Sequence, residues 1–186
     1  MTDAATADAA DTAPSRPGGT GLIVRIPEAE AAVRSWRERF DPSAWAGVPA
    51  HVTVLFPFLP EARVDGAVCA AVAAVLDGHP AFEVRFASCG RFPGILYLAP
   101  EPDGRLRRLT EAIAARWPEA PPFGGRFADV VPHLTVAHHE DEHLLARAEA
   151  EVAALLPVTA RVSSVELVVH DGTVWRTRAS FPLPGR

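Results

Sequence analysis

Two stretches of four residues, His51-Val52-Thr53-Val54 and His133-Leu134-Thr135-Val136, carry one pattern twice in the same chain. Each alternates a polar side chain with an apolar one. Along a β-strand successive side chains point to opposite faces, so His51 and Thr53 share one face while Val52 and Val54 anchor the other. His133 and Thr135 repeat the arrangement. Each His/Thr pair is therefore expected on a rigid strand whose apolar neighbours are locked into a core. Any half-buried strand can show such alternation once. Its recurrence in a matching context sets these two apart.

That context is a longer repeat. An apolar strand over residues 22–26 leads through Pro27 into a helix expected over 28–40, which carries Trp36 near its end. A Pro/Gly-containing loop over 41–50 then delivers the His51 strand. Further on, a strand over 95–98 leads through Pro100 into a helix over 103–117 that ends at Trp117. A Pro/Gly-rich loop over 118–131 delivers the His133 strand. Self-similarity in fixed order argues for two related lobes. Between and after them the pattern predicts a helix over 65–76 closed by Asp77-Gly78, and a strand over 81–87 with a connection Cys89-Gly90-Arg91-Phe92-Pro93-Gly94. A helix over 140–156 follows, and two last strands over 161–170 and 174–181 flank an Asp171-Gly172 turn. The fold class is expected to be α+β, with two mainly antiparallel sheets and helices packed outside.

Charge narrows the partners. The chain has 18 Lys+Arg against 23 Asp+Glu, a net charge of −5, and all 18 cations are Arg. Gripping duplex DNA rests on many phosphate contacts, so an acidic chain is a poor candidate for it. A small phosphorylated ligand or an RNA end needs only a locally positive pocket, and the planar fork of Arg suits that task. No apolar run reaches the ~20 residues that span a membrane. The Ala/Asp/Thr-rich residues 1–20 read as a disordered tail without a signal peptide, followed by one two-lobed domain over 21–186. Cys69 and Cys89 are expected as free thiols of a cytoplasmic protein. No sustained heptad occurs, and the chain is expected to be a monomer.

Histidine is the side chain best suited to act as base and acid at neutral pH. One neutral imidazole takes a proton from water or a ribose hydroxyl; the other, protonated, gives one to a departing alkoxide. Thr hydroxyls two residues along would hydrogen-bond the non-bridging oxygens on which charge builds up. In-line phosphodiester cleavage fits that symmetry and requires neither metal nor other cofactor.

The segments Pro49-Ala50-His51-Val52-Thr53-Val54-Leu55-Phe56-Pro57-Phe58, Gly90-Arg91-Phe92-Pro93 and Val131-Pro132-His133-Leu134-Thr135-Val136 resemble the 2H phosphoesterase superfamily, and most of all its bacterial 2′-5′ RNA ligase-like proteins. The resemblance covers residues 22–182. It implies a bilobal fold with pseudo-twofold-related lobes flanking a central cleft. It further implies action on 2′,3′-cyclic or 2′-5′-linked nucleotide or RNA-end phosphodiesters, in some members by reversible ligation. His51 and His133 would then be the acid–base pair, and Thr53 and Thr135 would hold the phosphate.

Three further residues are substrate-binding candidates. Arg126, in the loop Phe123-Gly124-Gly125-Arg126, is placed to approach the phosphate, against the competing assignment of a solvated loop arginine. Phe56 and Phe92 are candidates to stack on a base, against core packing. Tyr97, Trp36 and Trp117 read as packing residues. Two other functional classes stay open. The run from His133 to His143 is dense in metal-capable residues, and His139 and His143 would share a face of a helix that began early enough. A non-catalytic module that binds nucleotides or RNA ends would also retain the cleft.

Overall fold

The computed structural model describes residues 16–185. The tail expected over 1–20 lies outside the described residues as far as residue 15. From Gly18 the chain is tied in: its N–H donates to the carbonyl of His170 at 2.9 Å. The apolar run ahead of Pro27 forms β1 (Thr20–Arg25), buried at every position except Arg25. A 3-10 turn at Pro27–Ala29 opens α1 (Glu30–Phe40), so Trp36 lies in the body of this helix rather than at its end. Asp41 caps a short α2 (Pro42–Trp45) by accepting from Ser43 N–H at 2.9 Å, and β2 (His51–Leu55) follows. The next helix, α3 (Gly66–Leu76), is capped by Asp65.

The second repeat comprises β4 (Ile95–Glu101), α4 (Gly104–Arg116), with Trp117 at its C-cap, and β5 (Leu134–His138). Ahead of it, β3 (Phe82–Phe92) runs well past the expected end at residue 87, so the stretch Cys89–Phe92 is strand rather than loop. The turn is only Pro93-Gly94, with Gly94 at φ 73°. Helix α5 (Glu142–Ala153) completes the helices.

The last expected strands become three. Residues 161–170 split into β6 (Val158–Val162) and β7 (Ser164–His170), with β8 (Trp175–Pro182) after the Asp-Gly turn. The break falls at Ser163, where the chain crosses between sheets. Its carbonyl is taken by Leu183 N–H at 2.8 Å. No glycine or proline marks this break, because a tertiary hydrogen bond rather than local turn chemistry makes it.

Two antiparallel four-stranded sheets result, in the orders β2-β1-β7-β8 and β5-β4-β3-β6. Each places its histidine strand at an edge, beside the strand that opens the repeat. The two edges, β2 and β5, meet, with Cα atoms within 8 Å. The helices are exchanged across that meeting line: α1 packs against β5 and α4 against β2. Trp36, Leu106, Leu109 and Ile113 bury themselves in one continuous core that draws on both sheets. A small satellite of Ile23, Val48 and Val168, with Trp175 against it, lies on the other face of the first sheet. Among the described residues no helix is long and apolar enough to cross a membrane.

Candidate active site

His51 opens β2 and His133 stands immediately before β5. Both imidazoles are held in the same way. Nδ1 of His51 lies 2.8 Å from the carbonyl oxygen of Pro49, and Nδ1 of His133 lies 2.8 Å from that of Val131, in each case two residues back. A carbonyl only accepts, so Nδ1 carries the proton in both rings and the neutral form bears its lone pair on Nε2. The two rings thus present the same nitrogen, Nε2, and share the same neutral tautomer.

The strands deviate from regular pairing at the same point. Ile23 faces Thr53 and Leu22 faces Leu55, so Val54 is an extra residue in β2. Tyr97 faces Thr135 and Leu96 faces Ala137, so Val136 is an extra residue in β5. Each motif therefore has a β-bulge one residue after its threonine, which bends the strand and re-aims the side chains that follow. In the first lobe the bulge carbonyl, that of Val54, accepts from Thr110 Oγ1 of α4 at 2.7 Å. Thr53 is half-buried, whereas Thr135 is 7 % exposed.

The surroundings of the two histidines differ. Arg25 lies directly across from His51 and reaches Glu166 at 3.6 Å. His133 instead packs against aromatic rings. Phe92 meets it edge-on at 5.1 Å between centroids, Tyr97 lies at 5.5 Å, and these two stack on each other at 4.4 Å. Tyr97 reaches this position by lying over Gly90, its cross-strand partner, where any Cβ would overlap the phenol ring. Phe56 is packed edge-on against Trp175 at 5.8 Å, above Gly21. Phe92 thus stands beside a motif histidine, whereas Phe56 belongs to the wall of the satellite cluster. Arg126 is exposed, on a loop whose Phe123 N–H donates to the carbonyl of Phe56 just beyond β2 at 2.6 Å.

Arg25 is the neighbour that sequence reading passed over, and Tyr97, read as a packing residue, packs on His133 itself. The alternating strand made Tyr97 look structural, and only the pairing register brings either residue to a motif. Behind β3, burial pushes the Cys89 thiol up to about 11, with Glu149 adding to the effect and Arg91 opposing it. Cys69 and Cys89 are both free and half-buried rather than fully buried. The metal-ligand cluster is not assembled. Helix α5 begins at Glu142, so His139 precedes it, accepting from Asp141 N–H at 3.0 Å and packing against Phe40, while His143 is exposed. The two histidines therefore do not share a helical face. Among the described residues no three His, Cys, Asp or Glu side chains gather as a metal site.

The fold is that of known proteins. E. coli LigT, solved with 3′-AMP, superposes with a TM-score of 0.59 at 16% identity, over 90% of this chain and 99% of that one. Its apo form gives 0.57 at 19%, over 91% and 99%. A protein of Thermus thermophilus gives 0.55 at 21%, over 90% and 99%. No curated protein matches the chain. The model of the 2'-5' RNA ligase superfamily matches residues 26–174, a span that holds both histidine motifs, both bulges and both exchanged helices. The chain belongs to the 2'-5' RNA ligase superfamily.

Proposed function

We propose that this protein is a metal-independent phosphodiesterase of 2′,3′-cyclic or 2′-5′-linked nucleotide and RNA-end phosphodiesters, with His51 and His133 as its acid–base pair. Family membership supports phosphodiester chemistry in general. The observation that carries the finer reading is the matched pair of Nδ1–H bonds to the carbonyls of Pro49 and Val131, beside edge strands β2 and β5 whose Cα atoms come within 8 Å of each other. Two imidazoles offering the same nitrogen suit a reaction with an attacking and a leaving oxygen on opposite sides of one phosphorus.

One neutral imidazole takes a proton from water as its oxygen forms the new bond to phosphorus. The other, as imidazolium, delivers a proton to the ribose oxygen as its P–O bond breaks, and a phosphomonoester with a free hydroxyl results. Each transfer contributes typically about 100- to 10,000-fold. Thr53 and Thr135 donate hydrogen bonds to the non-bridging oxygens, where negative charge accumulates. With a ribose 5′-hydroxyl in place of water attacking a 2′,3′-cyclic phosphate, the same path joins two RNA ends, the 3′-oxygen leaving as a free hydroxyl as its P–O bond breaks. Arg126 and Phe92 are the candidates for contacts to phosphate and base, with Phe56 further out.

The acidic balance and the absence of lysine favour a small nucleotide or an RNA end over duplex nucleic acid. The two free thiols fit a reducing, cytoplasmic setting. The test is hydrolysis of 2′,3′-cyclic nucleotides in excess EDTA, with His51→Ala and His133→Ala alongside. Turnover lost in both variants is the expected result. Turnover restored only by added metal, or binding of 3′-AMP without any turnover, would overturn the reading in favour of a metal hydrolase or a binding module.

A further inference from the structure

Two arginines that the acid–base chemistry does not use occupy equivalent places behind the two histidines. Arg37 of α1 donates Nη2 to the carbonyl of Val48 at 3.0 Å, and Arg107 of α4 donates Nη1 to the carbonyl of Val130 at 2.7 Å. Val48 and Val130 each stand three residues before the motif histidine, next to the residue whose carbonyl receives the imidazole Nδ1–H. Each arginine is itself gripped by a carboxylate one helical turn away. Nε of Arg37 donates to Asp41 at 2.8 Å, and Nε of Arg107 donates to Asp103 at 2.6 Å. A comparable brace is thus built in each repeat, with the carboxylate one turn after Arg37 and one turn before Arg107.

Each lobe then completes the brace in its own way. In the first, Glu30 Oε1 accepts the N–H of Ala50 at 2.8 Å. That N–H and the Pro49 carbonyl belong to a single planar peptide unit, so gripping one aims the other. In the second lobe the corresponding nitrogen is that of Pro132, which has no hydrogen to offer. There the proline ring restricts Val131 to extended backbone, and Asp129 adds a second carboxylate to Arg107 at 2.7 Å. The surroundings also differ: Arg37 and Asp41 are 3% and 1% exposed, Arg107 and Asp103 30% and 38%.

We propose that Arg37 and Arg107 are positioning residues: by fixing the peptide behind each histidine they hold its imidazole in the Nδ1–H tautomer, with Nε2 turned to the substrate. A ring whose Nδ1 has lost its carbonyl partner populates both tautomers, and the one protonated on Nε2 cannot act as a base there. The proposal rests on the acid–base reading of His51 and His133, but its first readout does not depend on turnover.

That readout is the ¹⁵N NMR spectrum of the imidazoles in the full chain. Wild type is expected to show Nδ1 protonated in both neutral rings. Arg107→Ala, and Arg107→Lys, which keeps the charge without the fork, are expected to mix the tautomers of His133 and leave His51 unchanged. On a 2′,3′-cyclic nucleotide kcat falls about tenfold or more with KM unchanged. Arg37→Lys, which leaves a cation beside Asp41, is expected to shift His51 instead. A His133 tautomer that stays as in wild type in both Arg107 variants would overturn the proposal, whatever their melting temperatures. Tautomers that mix in a protein whose wild type turns over no phosphodiester would uphold the brace and sink the acid–base function.

Discussion

At Gly90 the absence of a single carbon supports the second half of the site. Tyr97 lies across this glycine, Phe92 stacks on Tyr97, and both rings touch His133. Gly90→Ala forces the phenol ring aside, a change expected to cost about 1–3 kcal/mol in a packed environment. The accompanying loss of kcat should be partly restored by Tyr97→Leu in the same chain, and thermal melts with single-turnover rates check both halves. One residue back in sequence, the Cys89 thiol is pushed up to about 11 from an ordinary value of 9.0. The folded state therefore holds that proton more tightly than the unfolded one. The stabilisation is complete below pH 9 and is lost as pH rises towards 11. Iodoacetamide should label native Cys89 slowly at pH 8 and rapidly only near its titration, or once urea unfolds the chain; fast labelling at pH 8 would contradict the buried environment.

Among the elements, the two braces make unequal predictions about stability. Removing one partner of a buried ion pair leaves an uncompensated charge and costs about 3–5 kcal/mol, whereas an exposed pair contributes about 0–1 kcal/mol. Arg37→Ala should thus lower the denaturation midpoint strongly and Arg107→Ala only slightly, with the second effect fading in high salt. Equal losses in urea melts would mean that burial does not decide the matter. The exchanged helices add a third test. Thr110→Val leaves the bulge carbonyl of Val54 without its α4 donor, at an expected cost of about 1–3 kcal/mol.

The elements also mark how far the sequence is readable. Period-two alternation locates both histidine strands, and Pro27, Asp65 and Asp103 sit where helices begin, because these signals are local. The continuation of β3 through Cys89 and Gly90 depends on a ring from the facing strand. The division of residues 161–170 depends on a hydrogen bond from Leu183, and the neighbours of each motif depend on register. Those partners come from neighbouring strands rather than from the local alternation of residues. The metal-like run from His133 to His143 misleads for a local reason instead: the Asp141 cap starts α5 too late to align His139 with His143.

For the molecule as a whole, one core runs through both lobes, with α1 against β5 and α4 against β2. Neither lobe has a core of its own, so the two are expected to unfold together. Tryptophan fluorescence, which follows Trp36, Trp117 and Trp175 together with the exposed Trp45, and far-ultraviolet circular dichroism should give superimposable urea transitions. Two separated steps would indicate independent lobes.

The route of the chain has one more consequence, for the order in which the protein is made. The first sheet begins with β1 and β2 but is finished by β7 and β8, while every strand of the second sheet falls between them. During synthesis the lobe that holds His133 has all its strands before the lobe that holds His51. A ribosome that stops short of Ser164 therefore releases a chain whose earliest strand, β1, still offers one unpaired edge, and the lobe begun first is the last to close.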